Sequence, residues 1–298
     1  MSPAVVLRLG RVSNLPTVWA NTLTGALLAG VGAPRSFVAP DALTLAMCMI
    51  AMSVFYIGGM FLNDAFDHEI DAHERPERPI PSGAVNARTV FIAGFTLLGA
   101  GVGLLGLAAE WTAAPRPGAA LFSAATLCAA IIYYDSRHKN DPMAPMVMAL
   151  CRSLIYVTTS FTIAGVASEA ALGGAAACFC YTAGLTYVAS RENLSEVGNL
   201  WPVAVIGLPV VYGLPWALSG IRESVFAVVL LAAWIGYSLS FAVRTRGRSV
   251  PGAVVRLIAG MALLDAMLLA GNGFHTAALA AAAMLPLTRM FQRFIPGT

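Results

Sequence analysis

Charge is scarce in this sequence. Only 11% of its 298 residues are Asp, Glu, Lys or Arg, and Lys139 is the single lysine. A soluble domain carries about 25% charged residues, so most of this surface cannot face water, and a soluble globular enzyme is excluded. The formal net charge of +3 is too small to mark a nucleic-acid partner. Cysteine is also sparse. Cys48, Cys128, Cys151, Cys178 and Cys180 all fall in apolar runs, with no metal-ligand spacing. Cys178 and Cys180 lie two apart, on opposite faces of a helix, so they cannot share a metal; with no extracellular loop to staple, a disulfide scaffold is excluded and the thiols read as small buried hydrophobes. No small-residue cleavage site follows the first apolar run, so a cleavable signal peptide is not expected.

What the sequence does have is apolar length. Residues of the AVILMFWYC set make up 58% of the chain, in runs of 17–22 that match about 30 Å of hydrocarbon as helix. Polar punctuation delimits ten candidate membrane helices at 15–33, 42–63, 88–109, 118–135, 144–166, 171–190, 200–219, 224–243, 253–271 and 274–291. Only Gly271-Asn272-Gly273 separates the last two, as a tight hairpin or a break in one helix, so the count is nine or ten. The expected fold is all-α: one polytopic bundle over 1–298, around a central cavity open to the cytoplasmic side.

The basic residues set the orientation. With the N-terminus inside, the inner loops and tails hold Arg8, Arg11, Arg75, Arg78, Arg88, Arg137, Lys139, Arg191, Arg244, Arg246, Arg248, Arg289 and Arg293. The outer loops hold only Arg35, Arg116 and Arg222, while Arg152 and Arg256 lie inside spans. This positive-inside asymmetry predicts a cytoplasmic N-terminus, in a bacterial inner membrane. The polar loops 64–87, 135–143 and 191–199 all fall on the inner side, so one face carries the chemistry.

The second span runs out through Asn63-Asp64-Ala65-Phe66-Asp67-His68-Glu69-Ile70-Asp71. Asn63, Asp67 and Asp71 are spaced i, i+4, i+8 and form one helical stripe about 12 Å long, which Asp64 borders. A solvated acidic loop would not need its acids in helical register, nor an Asn at the edge of the hydrocarbon, where polar groups are costly. Oxygen ligands in such a row suit Mg²⁺, which takes one or two protein carboxylates and fills its octahedron with water and phosphate oxygens. His68 and His73 point off the stripe.

Asn63-Asp64-x-x-Asp67-x-x-x-Asp71, followed by Arg75-Pro76-Glu77-Arg78-Pro79-Ile80-Pro81-Ser82-Gly83, resembles the first signature of the UbiA superfamily of intramembrane prenyltransferases. Arg11-x-x-Asn14 leading into Trp19 and Asn21 extends the resemblance. It implies that a Mg²⁺-bound polyprenyl diphosphate is ionised and its allylic carbon passed to a small acceptor. The family's second motif, Asp-x-x-x-Asp, is absent. Its place is taken by Glu192 and Glu196, again i, i+4 and behind Arg191, which are expected to hold the second metal. Tyr134 and Lys139 resemble the family's Tyr-x(3–4)-Lys element, Lys139 neutralising charge on the leaving pyrophosphate.

Further assignments follow from depth and neighbourhood. Arg152, about 12 Å into its span, needs a partner or a wet cavity and is expected on the diphosphate, with Asp265 as the alternative partner. Arg75, Arg78 and Arg191 are further diphosphate candidates. Arg11, Asn14 and Asp265 are candidate acceptor contacts. Tyr134, Tyr187, Tyr56 or Phe66 could line a π-bearing wall for the allylic cation. The stretches around Tyr187-x-x-Ser190-Arg191-Glu192 and Arg11–Trp19 look closest to the Ebo-type branch of the superfamily, associated with secondary metabolism, with a cyclitol-like or aromatic acceptor. Two rival functions are a terpene cyclase using the same acids without an acceptor, and a secondary transporter in which the acids bind a coupling ion. Against the transporter, no repeat with matched broken helices is apparent.

Overall fold

The computed structural model describes residues 1–32, 40–139, 141–190, 201–241 and 250–295. Within them the chain forms twelve α-helices and no strand: α1 (Pro3–Leu9), α2 (Leu15–Leu28), α3 (Ala42–Phe66), α4 (His68–Glu74), α5 (Ala87–Trp111), α6 (Pro117–Arg137), α7 (Ala144–Ala164), α8 (Glu169–Ala189), α9 (Trp201–Leu218), α10 (Arg222–Leu239), α11 (Val250–Gly271) and α12 (His275–Phe291). Eight of these are long and apolar enough to cross a membrane. On that measure the expected nine or ten becomes eight, because α2 and α12 have only 14 and 17 residues. Both still pack inside the same bundle, against each other and against α11.

Short polar residues start the helices. Asp41 accepts from the Thr44 amide at 2.7 Å, Asn86 from the Arg88 amide at 2.8 Å and Ser168 from the Ala171 amide at 3.1 Å, each filling a donor the first turn leaves open. Ser168 also donates to the Leu28 carbonyl at 2.6 Å, tying the end of α2 to the start of α8. The last two helices, α11 and α12, form a tight hairpin. The Phe274 amide bonds the Leu269 carbonyl at 2.9 Å, and Gly273 takes φ +84° in the turn.

Two apolar cores meet along α2 and α7. One gathers α3, α5 and α6 around Phe55, Leu62 and Leu98. The other gathers α8 to α12 around Tyr181, Leu231 and Leu264. α11 lies at the centre of the second, and every residue from Ala259 to Ala270 is buried. Close helix contact needs missing side chains, because lipid tails exclude no more apolar surface than another helix does. A Cβ at Gly25 would come within 2.8 Å of the Tyr156 Cα, so α2 and α7 touch backbone to backbone. Large apolar side chains such as Phe122, Leu279 and Ile92 project outward, as a lipid-facing surface requires.

Candidate active site

Two successive helices carry the acids, α3 up to Phe66 and α4 from His68. Asp67 separates α3 from α4 but keeps right-handed helical angles (φ −81°, ψ −2°). The amides of Asp67, Asp71 and Arg75 bond the carbonyls of Asn63, Asp67 and Asp71 at 3.0, 2.8 and 2.8 Å. These three i to i−4 bonds carry the helical register across the junction and keep Asn63, Asp67 and Asp71 on one face. All three are buried, as is Asp64. The two histidines turn back on their own helix, His68 Nδ1 lying 2.8 Å from the Ala65 carbonyl and His73 Nδ1 3.0 Å from that of Glu69.

Three segments bring cations to these acids. Arg11, in the turn between α1 and α2, donates from Nη2 to Asp64 Oδ1 at 3.0 Å and to Asn63 Oδ1 at 3.3 Å. Arg78 Nη1 lies 2.6 Å from Asp71 Oδ2 and 3.4 Å from Asp64 Oδ1. The loop carrying Arg78 is folded back on itself. Val85 donates its amide to the Pro79 carbonyl at 3.2 Å, Gly83 supplies a left-handed turn at φ +76°, and Ile80 and Val85 pack on Leu9, Phe61, Ala65 and Val90. From the end of α6, His138 Nε2 and Lys139 Nζ approach Asp67 Oδ2 at 3.4 and 3.8 Å.

Asp135 joins the cluster, although it does not belong to the acidic stripe. It is buried, and its Oδ1 accepts from Asn63 Nδ2 at 3.3 Å. Its Oδ2 is buried with no hydrogen-bond partner among the described residues. Such an oxygen is costly to leave unpaired. The only signal in the sequence is position, since Asp135 stands three and four residues before His138 and Lys139 and so shares their helix face. Tyr134 stacks on His138, ring centroids 4.9 Å apart.

Deeper in the bundle, Arg152 Nη2 donates to Thr17 Oγ1 at 2.7 Å. Its guanidinium lies 5.9 Å from the Tyr56 ring, and its buried Nη1 has no partner among the described residues. Arg152 is therefore not hydrogen-bonded to Asp265. That carboxylate accepts instead from Tyr156 Oη at 2.6 Å and from Asn21 Nδ2 at 2.7 Å, fully buried where α2, α7 and α11 meet. Asn14 donates to Tyr56 Oη at 3.2 Å and accepts from Gln292 Nε2 at 3.0 Å. Arg75 is exposed and makes no ion pair with a described residue. Arg191, Glu192 and Glu196 lie outside the described residues.

The site thus unites a loop before α2, the α3–α4 junction, the following loop and the end of α6 at one end of the bundle. A buried row of carboxylates faced by guanidinium, imidazole and ammonium groups can hold a polyanion together with hard cations.

Residues 18–269 match the UbiA prenyltransferase family. The chain is 30% identical over 230 residues to a digeranylgeranylglyceryl phosphate synthase of Methanopyrus kandleri, covering 75% of this chain and 74% of that protein. It is 39% identical over 79 residues to the Metallosphaera sedula protein of the same name, where the match covers 25% of this chain and spans only 28% of that relative's length. A solved structure concerned with digeranylgeranylglyceryl phosphate synthase in membranes superimposes with a TM-score of 0.60 over 94% of this chain and 98% of that one, at 16% identity. The apo structure of a UbiA homologue from Aeropyrum pernix gives 0.50 at 14% identity, covering 95% and 97%. At those identities the two structures establish the shared fold alone. The family match over most of the length agrees with the acidic signature and the helical bundle that carries it, and the chain belongs to the UbiA prenyltransferase family.

Proposed function

We propose that this protein transfers the prenyl group of a polyprenyl diphosphate to a small acceptor within the membrane, with Mg²⁺. The observation that carries this reading is the buried run Asn63, Asp64, Asp67 and Asp71 at the α3–α4 junction, held in register by the Asp67 and Asp71 amide bonds and met by Arg11, Arg78, His138 and Lys139.

The donor set fits Mg²⁺. Among the described residues no three acidic, His or Cys side chains converge as a closed metal cage, and Mg²⁺ does not use one, since substrate phosphates and water complete its shell. Asn63, Asp64, Asp67 and Asp71 would hold it, with the unpaired Asp135 oxygen as a further ligand or water acceptor. The ion would offset diphosphate charge and so improve pyrophosphate as a leaving group. Lys139, Arg78 and Arg152 then draw negative charge onto the departing oxygens. Tyr56 and Tyr134 offer ring faces beside the developing allylic cation. Glu192 and Glu196 are proposed to hold a second ion from the opposite loop.

The relatives' name contains a glyceryl phosphate bearing two geranylgeranyl groups, and that name supports a glyceryl phosphate acceptor here over the cyclitol-like or aromatic one of the Ebo-type reading. The thirteen-to-three excess of basic residues supports a cytoplasmic polar end and N-terminus. The relatives are archaeal and lend nothing to a bacterial inner membrane.

The test is pyrophosphate release by purified protein given geranylgeranyl diphosphate and Mg²⁺, with and without acceptor. Transfer predicts acceptor-dependent release, lowered at least ~100-fold by Asp67→Asn or Asp71→Asn. Hydrocarbon products without acceptor would mean cyclisation. Ion-coupled flux with no pyrophosphate would mean transport.

A further inference from the structure

A second polar centre lies beside the acidic one. The start of α11 and the end of α12 form an open cavity of about 320 Å³, lined by Pro251, Val255, Arg256, Arg289, Gln292 and Arg293 among others. Three guanidinium groups share it, and among the described residues no carboxylate lies at ion-pairing distance from any of them. Positive-inside bias accounts for arginines at this end of the bundle. It does not account for three of them converging on one cavity, where like charges repel unless an anion joins them.

The donors are held in place but not used up. Arg256 sits 3.6 Å over the Phe241 ring and, among the described residues, gives one bond, from Nη1 to the Gly252 carbonyl at 2.6 Å. Among the described residues Arg289 gives one bond, to Gln292 Oε1 at 3.0 Å. A guanidinium has five N–H donors, so most remain for a ligand with several acceptor oxygens. Planar forks of this kind match phosphate. Gln292 also fixes the position of the cavity. Its Nε2 donates to Asn14 Oδ1 at 3.0 Å and to the Val255 carbonyl at 3.3 Å. Asn14 in turn donates to Tyr56 Oη, which lies 3.5 Å from the Arg11 carbonyl. The cavity therefore adjoins the acidic site through a short polar chain, and its Pro251 and Val255 walls suit an apolar stem.

We propose that this pocket binds the phosphate of a lipid-like molecule through Arg256, Arg289 and Arg293. The phosphate has two possible sources, the prenyl acceptor or a phospholipid of the surrounding bilayer. The acceptor assignment rests on the prenyl-transfer reading above, whereas phosphate binding stands without it.

The experiment uses full-length protein in phosphatidylcholine nanodiscs, with native mass spectrometry counting retained phosphatidic acid against neutral diacylglycerol. The wild type should retain phosphatidic acid at least about tenfold better, and Arg289→Gln with Arg293→Gln should remove that preference. Arg289→Lys, which keeps the charge, should retain part of it, and Arg222→Gln at the opposite end should leave it unchanged. A wild type with no preference overturns the proposal even where variants fail to fold, and so does a preference the double variant keeps. The source is read from prenylation of a monoalkylglyceryl phosphate and of its phosphate-free alcohol. A KM raised at least about tenfold in the double variant for the phosphate alone identifies the acceptor. Equal KM values with lost phosphatidic acid identify a bilayer phospholipid. Absence of all prenyl transfer overturns the enzyme reading and leaves the binding result standing.

Discussion

Arg11 takes φ 41°, ψ 45°, a left-handed conformation that costs a residue with a side chain roughly 1–2 kcal/mol. The bend aims its guanidinium at Asn63 and Asp64, so backbone strain is exchanged for the position of a charge at a functional site. Arg11→Gly and Arg11→Ala both remove that charge, but only glycine relieves the strain. Both variants should lose pyrophosphate release, while Arg11→Gly melts above Arg11→Ala by the equivalent of about 1 kcal/mol in detergent. Asp135 gives a second test at this scale. Asp135→Asn keeps an oxygen for Asn63 and discards the negative charge. The Mg²⁺ concentration for half-maximal activity should rise about tenfold, with a melting temperature within a few degrees of wild type. An unchanged Mg²⁺ dependence would remove Asp135 from the metal site.

Elements are set by their ends and by where they touch. The Thr44 amide holds the Asp41 carboxyl below its ordinary range. A carboxyl whose folded pKa is depressed contributes stability above its unfolded pKa and loses it as pH falls through the folded one. Hydrogen exchange in the first turn of α3 should accordingly show protection that declines as the pH is lowered through the acid range, and Asp41→Asn should abolish that dependence. Between elements, the contact of α2 with α7 leaves no room at Gly25. Gly25→Ala would press a methyl on the Tyr156 backbone, so a loss of about 1–3 kcal/mol is expected in thermal melts. The same change at Gly99, where a Cβ meets nothing, should be tolerated.

Across the whole molecule, the Asn21, Tyr156 and Asp265 side chains join three helices that are far apart in sequence. Tyr156→Phe would strip a short bond from a buried carboxylate and cost about 1–3 kcal/mol. If this cluster only ties helices, KM for the acceptor should stay within about twofold of wild type while stability falls. A KM raised about tenfold would instead support Asp265 as an acceptor contact.

The sequence by itself determined most of the apolar helices and the acidic stripe, because each depends on spacing within one helix; it overran the short α2, which ends at Leu28. Helical register alone sets Asn63, Asp67 and Asp71 on a common face, and the two amide bonds that link them through Asp67 keep them there. It also placed the described polar loops after α4 and α6 at one end through the run of charges. Which cation meets which acid was decided only by the tertiary structure. Arg78 reaches Asp71 because its loop folds onto α1 and α5, Arg152 meets Thr17 and not Asp265, and Asp135 turns inward beside Asn63. Those pairings join residues 7 to 135 positions apart, and no local period encodes the crossing of helices that brings such side chains together.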